Sequence, residues 1–390
     1  MRRMRVVASL TMSEGTPTVR LARIANDVRD YAWGSETLVA DYLGRAPSGG
    51  PEAELWLGAH PAWPARLDDG TPLDAALAEA GAAQPGILLK VLAAAHALSL
   101  QVHPSTAQAR AGFAAEEAAG VPLGAAHRSY KDPRSKPELI VAVTPFEALS
   151  GFQPTARTLA VLDALAALDD RVAPYASVVR SSTREALAWL LAGGDDVDAV
   201  VAGVVAAAPR LGAEHAAAVD TVARLHADYP DDAGIATALM LHRVSLAPGE
   251  GVFLPAGNLH AYLSGLGIEL MEASDNVLRG GLTPKHVDRD ELLRIVDVAP
   301  VEDPRMRPEP LEGAIAYRPA APFELRHVVG SHEAGPAACA IVLAAAPTSV
   351  EVAGERLDLA RGEAAFASSP DGIRVDTPDA WLALETLDTP

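Results

Sequence analysis

The chain has a single cysteine, Cys339, in 390 residues. No internal disulfide can form, and a reducing cytoplasm is the expected setting. No apolar run approaches the ~20 residues that a membrane span requires. The opening MRRMRVVASLTMSEG is basic and then briefly apolar, too short and too interrupted for a secretory signal, and reads as a frayed tail or an early start codon. Lysine is scarce too: Lys90, Lys131, Lys136 and Lys285 stand against 28 arginines. In a chain rich in Ala, Gly and Pro this suggests a coding bias that turns spare lysines into arginines. The four survivors all lie in or beside the motifs below, where a compact ammonium does what a guanidinium cannot. Positive charge is short overall, with a formal net charge of −19. That argues against nucleic acid and anionic membrane surfaces as partners. An anionic small substrate must then be met by a local cationic pocket.

What is present is an ordinary globular composition, 49% hydrophobic and 21% charged, with room for roughly two or three domains. From about Arg20 to Phe152 short strands dominate, among them 53–57, 88–92, 99–102 and 139–143, with helical pieces at 73–80 and 105–117. Between Pro154 and Leu241 the texture becomes alanine-rich with helical spacing, at 155–168, 182–191, 197–207 and 213–227. Strands return at 242–246. A helix and a Pro- and charge-rich linker fill 289–312, and strands alternate with turns from Phe323 onward. Arg361-Gly-Glu-Ala-Ala-Phe-Ala367 echoes Pro248-Gly-Glu-Gly-Val-Phe-Leu254, which predicts a second barrel of the same design. No histidine follows the second copy, so that barrel is expected to be structural. The fold class is mainly β with an α-helical insertion.

Chemistry concentrates in a few places. After the Pro248-Gly249 turn, the spacing Gly-x5-Pro-x-Gly-x2-His puts His260 at the start of a strand, pointing into a barrel. A loop dense in both charge signs follows, with Asp275, Asn276, Arg279, Thr283, Lys285 and Asp288 interleaved with Gly280 and Gly281. Such a loop reads as a substrate-handling surface. Gln101 and His103 are two apart and share a strand face. A hydrogen-bonded core pair is the plain alternative for them. Lys136 and Glu138 have the same spacing at the head of another strand, where a surface ion pair is the plain alternative. Together, two imidazoles, one carboxylate and one amide oxygen suit a borderline divalent ion, zinc above all, with an open position. The other histidines, His60 included, read as packing or surface residues. Tyr31, Trp33, Trp56 and Trp63 read as core rather than as a sugar-facing wall.

These stretches carry a resemblance: YAWGS (31–35), AELWLGAHP (53–61), LLKVL (88–92), LSLQVHPS (98–105), 130–152 and 255–288. The chain resembles the type I mannose-6-phosphate isomerases, zinc enzymes of the cupin superfamily. The motifs cover the β core of the first 290 residues; the helical insert and the last hundred residues match by architecture. The resemblance implies a cupin (double-stranded β-helix, jelly-roll) catalytic domain at 16–153 and 242–290, a helical insert at 154–241, and a cupin-like β domain with its linker at 291–390. It implies one zinc per chain held by Gln101, His103, Glu138 and His260. It implies Arg279 as a catalytic or phosphate-facing cation, with Lys136 and Lys285 lining the site. Ser99 and Lys90 match positions near the substrate phosphate, and Glu269 and Asp275 match acidic positions proposed for proton handling. The implied reaction interconverts mannose 6-phosphate and fructose 6-phosphate through a cis-enediol, in a chain expected to act as a monomer. Of the two roles for Arg279, stabilising the developing enediolate is the one expected here. Residues 35–50 carry no motif, and Asn258 stands where the family varies. A metal-dependent cupin oxygenase and a non-catalytic sugar-binding cupin are the rival readings.

Overall fold

The computed structural model describes residues 11–13, 16–18 and 20–387. The tail reading of residues 1–15 therefore falls mostly outside the described residues.

The strand Ile87–Ala94, ILLKVLAA, is buried at every position. Successive side chains point to opposite faces. Ile87, Leu89, Val91 and Ala93 enter a core shared with the second half of the molecule. Leu92 and Ala94 enter a different cluster on the other face. Lys90 belongs to that second, inward face and is its one charge. The same alternation runs through the neighbouring strands. Leu55 and Leu57 of Glu54–Leu57, Leu139 and Val141 of Glu138–Ala142, and Leu266, Ile268 and Leu270 of His260–Glu272 all join the shared core. Glu54, Trp56, Glu138 and Glu269 are thereby turned inward with Lys90. Each fully buried Leu, Ile or Val contributes about 1.5–3 kcal/mol, enough collectively to hold charged groups on the opposite face.

These strands belong to an 11-stranded antiparallel sheet running from Arg305–Met306 through Gly251–Leu254, Glu138–Ala142, His260–Glu272, Ile87–Ala94 and Glu54–Leu57 to Val28–Arg29. His260–Glu272 is its spine. Its second half pairs with Ile87–Ala94 and Glu138–Ala142. Its first half pairs with Phe146–Phe152, and His260 itself pairs with Gln101. The change of partner falls at Gly265, whose φ of 110° and approach to Pro145 O (2.5 Å for an added Cβ) admit no side chain. The result is a jelly-roll-like cupin fold. The path of paired strands ends openly at both sides, so the expected barrel is not closed by strand pairing.

Phe146–Phe152 and Leu241–Leu246 are antiparallel partners, and the helices lie between them in the chain: Thr155–Ala166, Ala173–Ser181, Thr183–Ala192, Asp195–Ala207 and Ala216–Asp228. Ala173–Ser181 has no counterpart among the expected helices. Its proline occupies the first turn, where the missing N–H costs nothing. The inserted helices pack through Leu162, Tyr175, Leu187, Val204 and Leu225 onto Leu100, Leu149 and Leu259.

The C-terminal strands form an 8-stranded sheet and a 4-stranded sheet around Val342, Val350, Val375 and Leu382. The sequence echo is a true structural repeat at its turn. Gly249 and Gly362 take φ values of 87° and 84°. Glu250 N donates to Ala247 O (2.9 Å) and Glu363 N to Ala360 O (3.0 Å). Each glutamate then accepts from the first residue of its own turn, Ala247 N (2.8 Å) and Ala360 N (2.7 Å). Strand pairing departs from the expected domain limits. Leu21–Ala25 pairs with Ala364–Ser368, and Arg66–Leu67 pairs with Leu21–Ala25, so both belong to the C-terminal sheet. Arg305–Met306 pairs with Gly251–Leu254 in the catalytic sheet. Each half thus lends a strand to the sheet of the other. Among the described residues no helix is long and apolar enough to cross a membrane.

Candidate metal centre and substrate cavity

His103, Glu138 and His260 are all buried, and their ligand atoms lie within 4.8 Å of one another. Three elements bring them together. His103 follows the short Leu100–Val102 strand, Glu138 opens Glu138–Ala142, and His260 opens His260–Glu272. The Pro255–Gly257 turn fastens the first to the last, since Gly257 N donates to His103 O at 2.9 Å. The Nδ1 of His103 lies 2.8 Å from Asn276 O, and the Nδ1 of His260 lies 3.0 Å from Asn258 O. A carbonyl only accepts, so each Nδ1 carries the proton and each Nε2 presents a lone pair. Both Nε2 atoms face Glu138 Oε2, at 3.3 and 3.2 Å. His103 Nε2 has no hydrogen-bond partner. Three lone pairs converging out of water require a cation. The donors are two nitrogens and one oxygen, which is chemistry that suits zinc.

Gln101, the fourth expected ligand, is opposed to His260 in the strand register and lines the adjoining cavity with Lys136. Lys136 Nζ contacts Glu138 Oε1, so Glu138 turns one oxygen to the ammonium and the other to the imidazoles. Burial alone raises the Glu138 carboxyl, but Lys136 and the imidazoles outweigh it and hold it well below the usual range. Burial, reinforced by Lys136, lowers His103 to about 4, which keeps it neutral and ready to ligate.

The cavity measures about 520 Å³ and receives Ser99, Lys90, Gln101, Lys136, Asp275, Arg279 and Lys285 from the expected site residues. Glu269 does not line it. It lies behind Lys90, its carboxylate 3.0 Å from Lys90 Nζ and accepting from Tyr262 OH at 2.8 Å. Arg279 is on the short strand Leu278–Gly281 rather than in a loop, and it makes no ion pair with Asp275 or Asp288 among the described residues. Asp288 caps the helix Arg289–Ile295. Asp275 Oδ1 stands 3.6 Å from His60 Nε2.

Several lining residues were not expected. Tyr31, Trp33 and Trp56 form a wall of the cavity, and Trp63 packs behind Trp56. The core assignment holds for Trp56, which is buried with Leu88 and Met271, and Trp33 packs on a second cluster, but both also face the cavity, and Tyr31 is in its wall rather than in the core. An aromatic side chain on a buried strand looks the same in sequence whether its face meets core or cavity. His60, read as packing, is in the cavity. Its Nδ1 accepts from Ala62 N at 3.3 Å, which leaves Nε2–H toward Asp275. Burial lowers its pKa against the pull of Asp275. Tyr229 reaches the cavity from the end of the helical insert, a contribution no local motif announces.

The four cations divide into two kinds. Lys90 and Lys136 are paired with buried carboxylates. Burial works against the Lys90 ammonium, but Glu269 and Glu54 outweigh it and lift its pKa above the ordinary lysine range. Arg279 and Lys285 have no carboxylate partner among the described residues. Burial lowers both, and Arg279 further lowers Lys285, which marks them as neighbours.

A jelly-roll-like sheet with such a centre beside a cationic cavity is that of a cupin metalloenzyme acting on a small anion. Residues 21–155 match the family model for the phosphomannose isomerase type I catalytic domain. Over 301 residues the chain is 39% identical to the mannose-6-phosphate isomerase of Salmonella typhimurium, spanning 72% of this chain and 75% of that one. It is 38% identical over 295 residues to the Escherichia coli enzyme, spanning 70% and 74%. The crystal structure of the S. typhimurium enzyme bound to fructose 6-phosphate and zinc aligns with a TM-score of 0.85 at 32% identity, covering 95% of this chain and 100% of that one. This chain belongs to the type I mannose-6-phosphate isomerase family.

Proposed function

We propose that the chain interconverts D-mannose 6-phosphate and D-fructose 6-phosphate, with one zinc ion held by His103, Glu138, His260 and Gln101. The observation that carries this is the convergence of two imidazole lone pairs and a carboxylate beside a cavity with two unpaired cations. When bound, zinc supplies a Lewis acid that polarises the sugar's oxygens. The remaining work falls to the chain. A dianionic phosphate is best met by cations that no carboxylate neutralises, so Arg279 and Lys285 take it, with Ser99 as a hydroxyl donor. This reassigns Arg279 from the developing enediolate to the phosphate, and Lys90 from the phosphate to the reacting end.

The reaction moves a proton between C2 and C1. Lys136 and Asp275, which both line the cavity, hold or move that proton in this reading, while Glu269, screened by Lys90, acts through its neighbour. The His60–Asp275 pair keeps a neutral imidazole N–H beside the carboxylate. Fixed cations near the reacting oxygens stabilise the negative charge that develops as the cis-enediol forms. The aromatic wall excludes water from the sugar's apolar edge. A cytoplasmic location and a monomeric state complete the proposal.

A coupled assay with mannose 6-phosphate tests it. Formation of fructose 6-phosphate that stops on chelation is expected. No conversion by zinc-loaded protein rules the reading out.

A further inference from the structure

Lys90 is the centre of a four-residue unit on three adjacent strands. The register opposes Trp56 to Lys90 on one side and Glu269 to Lys90 on the other, so the three side chains form one inward row. Glu54, two residues before Trp56, shares that face. Its Oε1 lies 3.5 Å from Lys90 Nζ, and its Oε2 accepts from Trp56 Nε1 at 2.9 Å. Glu269 takes a second bond from the ammonium at 3.0 Å. Lys90 Nζ also sits 4.9 Å from the Trp56 ring centre. An ammonium has three N–H donors. Two are spent on the carboxylates, and the third is left for the cavity that Lys90, Glu54 and Trp56 all line.

We propose that Glu54, braced by the Trp56 indole N–H, is a positioning residue for the known reaction, fixing the Lys90 ammonium so that its one free N–H meets a sugar oxygen at the reacting end. Two observations favour this over a plain structural ion pair. Removing either carboxylate would let the flexible lysine stem swing toward the other, so aim depends on having both. The unit also carries two negative charges against one positive, which makes it a poor phosphate grip and assigns its effect to turnover rather than to binding. Glu54 is 6% exposed and so is held in one geometry. Supporting side chains of this kind set first-contact groups within tenths of an ångström.

The inference rests on the isomerase reading, and turnover of wild-type protein in the same assay decides that reading separately. The test compares Glu54→Gln, Glu54→Asp, Lys90→Met and the Glu54→Gln/Lys90→Met double variant, each with bound zinc measured and rates expressed per zinc. Glu54→Gln is expected to lower kcat about tenfold or more, with KM for mannose 6-phosphate changed less than about threefold. Glu54→Asp should recover part of the loss. The double variant should be no slower than Lys90→Met, because Glu54 acts only through Lys90. Wild-type kcat per zinc in Glu54→Gln overturns the proposal, and so do losses that multiply in the double variant. Should Glu54→Gln fail to fold, Trp56→Phe removes the indole N–H brace while keeping an aromatic ring in the cavity wall. It is expected to lower kcat severalfold at unchanged zinc content and KM, with no further loss when combined with Lys90→Met, and wild-type kcat there, or losses that multiply in the combination, overturns the proposal equally.

Discussion

Arg279 is directly opposed to Gln101 in a short antiparallel ladder, and the other side of Gln101 is opposed to His260. Three side chains on one face of three strands span two strand spacings, roughly 10 Å. That is comparable with the reach of an open-chain sugar phosphate from its carbonyl end to its phosphate. With the metal centre at the His260 end, the phosphate falls to Arg279. Arg279→Ala is therefore expected to raise KM for mannose 6-phosphate at least about tenfold, with a smaller effect on kcat. Steady-state kinetics check this. A large fall in kcat at constant KM would return Arg279 to the enediolate.

The lysines should not tolerate arginine equally. Lys136 is buried against Glu138, and a guanidinium cannot occupy the same space or hydration. Lys136→Arg and Lys285→Arg are each expected to lose at least about tenfold in kcat/KM, about 1.4 kcal/mol of transition-state stabilisation. Lys131 lies outside the cavity, its Nζ on the carbonyls of Leu123 and Ala125, and Lys131→Arg should be nearly silent. Comparable small effects at all three positions would show that the scarcity of lysine has no bearing on the site.

Lys285 also gives the activity an alkaline signature. Burial and the neighbouring Arg279 lower its ammonium below the ordinary value of 10.5. The charged form binds phosphate, and it is present below its pKa and lost above it. KM should therefore rise with pH from somewhat below 10.5, and Lys285→Arg should move that rise to higher pH. An alkaline limb of identical position in wild type and variant assigns it to another group.

The C-terminal half should be silent in metal binding. His332 Nδ1 lies 2.7 Å from Glu312 O, and its Nε2 is 2.8 Å from Arg326. His327 is bonded to Asp379 and stacked on Trp381. The His327→Gln/His332→Gln variant is expected to keep its zinc and its kcat. It should lose about 1 kcal/mol of stability, mainly from the bonds of the buried His332, read by denaturant unfolding. A fall in zinc stoichiometry would reveal a second site.

Much of this was legible before the fold. Lys90 and Glu138 each stand out as a charge in a strand that is otherwise apolar, and His260 follows a turn that only glycine completes. Period-two alternation then says which face those charges share. Long-range register was not legible. Nothing local reports that Leu21–Ala25 leaves its neighbours to cover Ala364–Ser368, or that Lys90 is opposed to both Trp56 and Glu269. The division of the cations into paired and unpaired is set by those registers, so the roles of Lys90 and Arg279 could be exchanged on sequence alone. His60 falls within a resembling stretch, but between Ala59 and Pro61 its residue type is equally compatible with plain packing, and Tyr229, between Asp228 and Pro230 at the end of a helix, belongs to no motif.

The most direct measurement is a zinc titration of chelated protein, following bound metal and conversion of mannose 6-phosphate in the same samples. Activity should be absent at the start, rise in proportion to bound zinc, and stop rising at about one equivalent per chain, as a single donor set requires. Glu138→Gln should bind zinc far more weakly and stay inactive over the same range. Full turnover in metal-free protein, or a rise that continues to two equivalents, would contradict a single zinc centre at His103, Glu138 and His260.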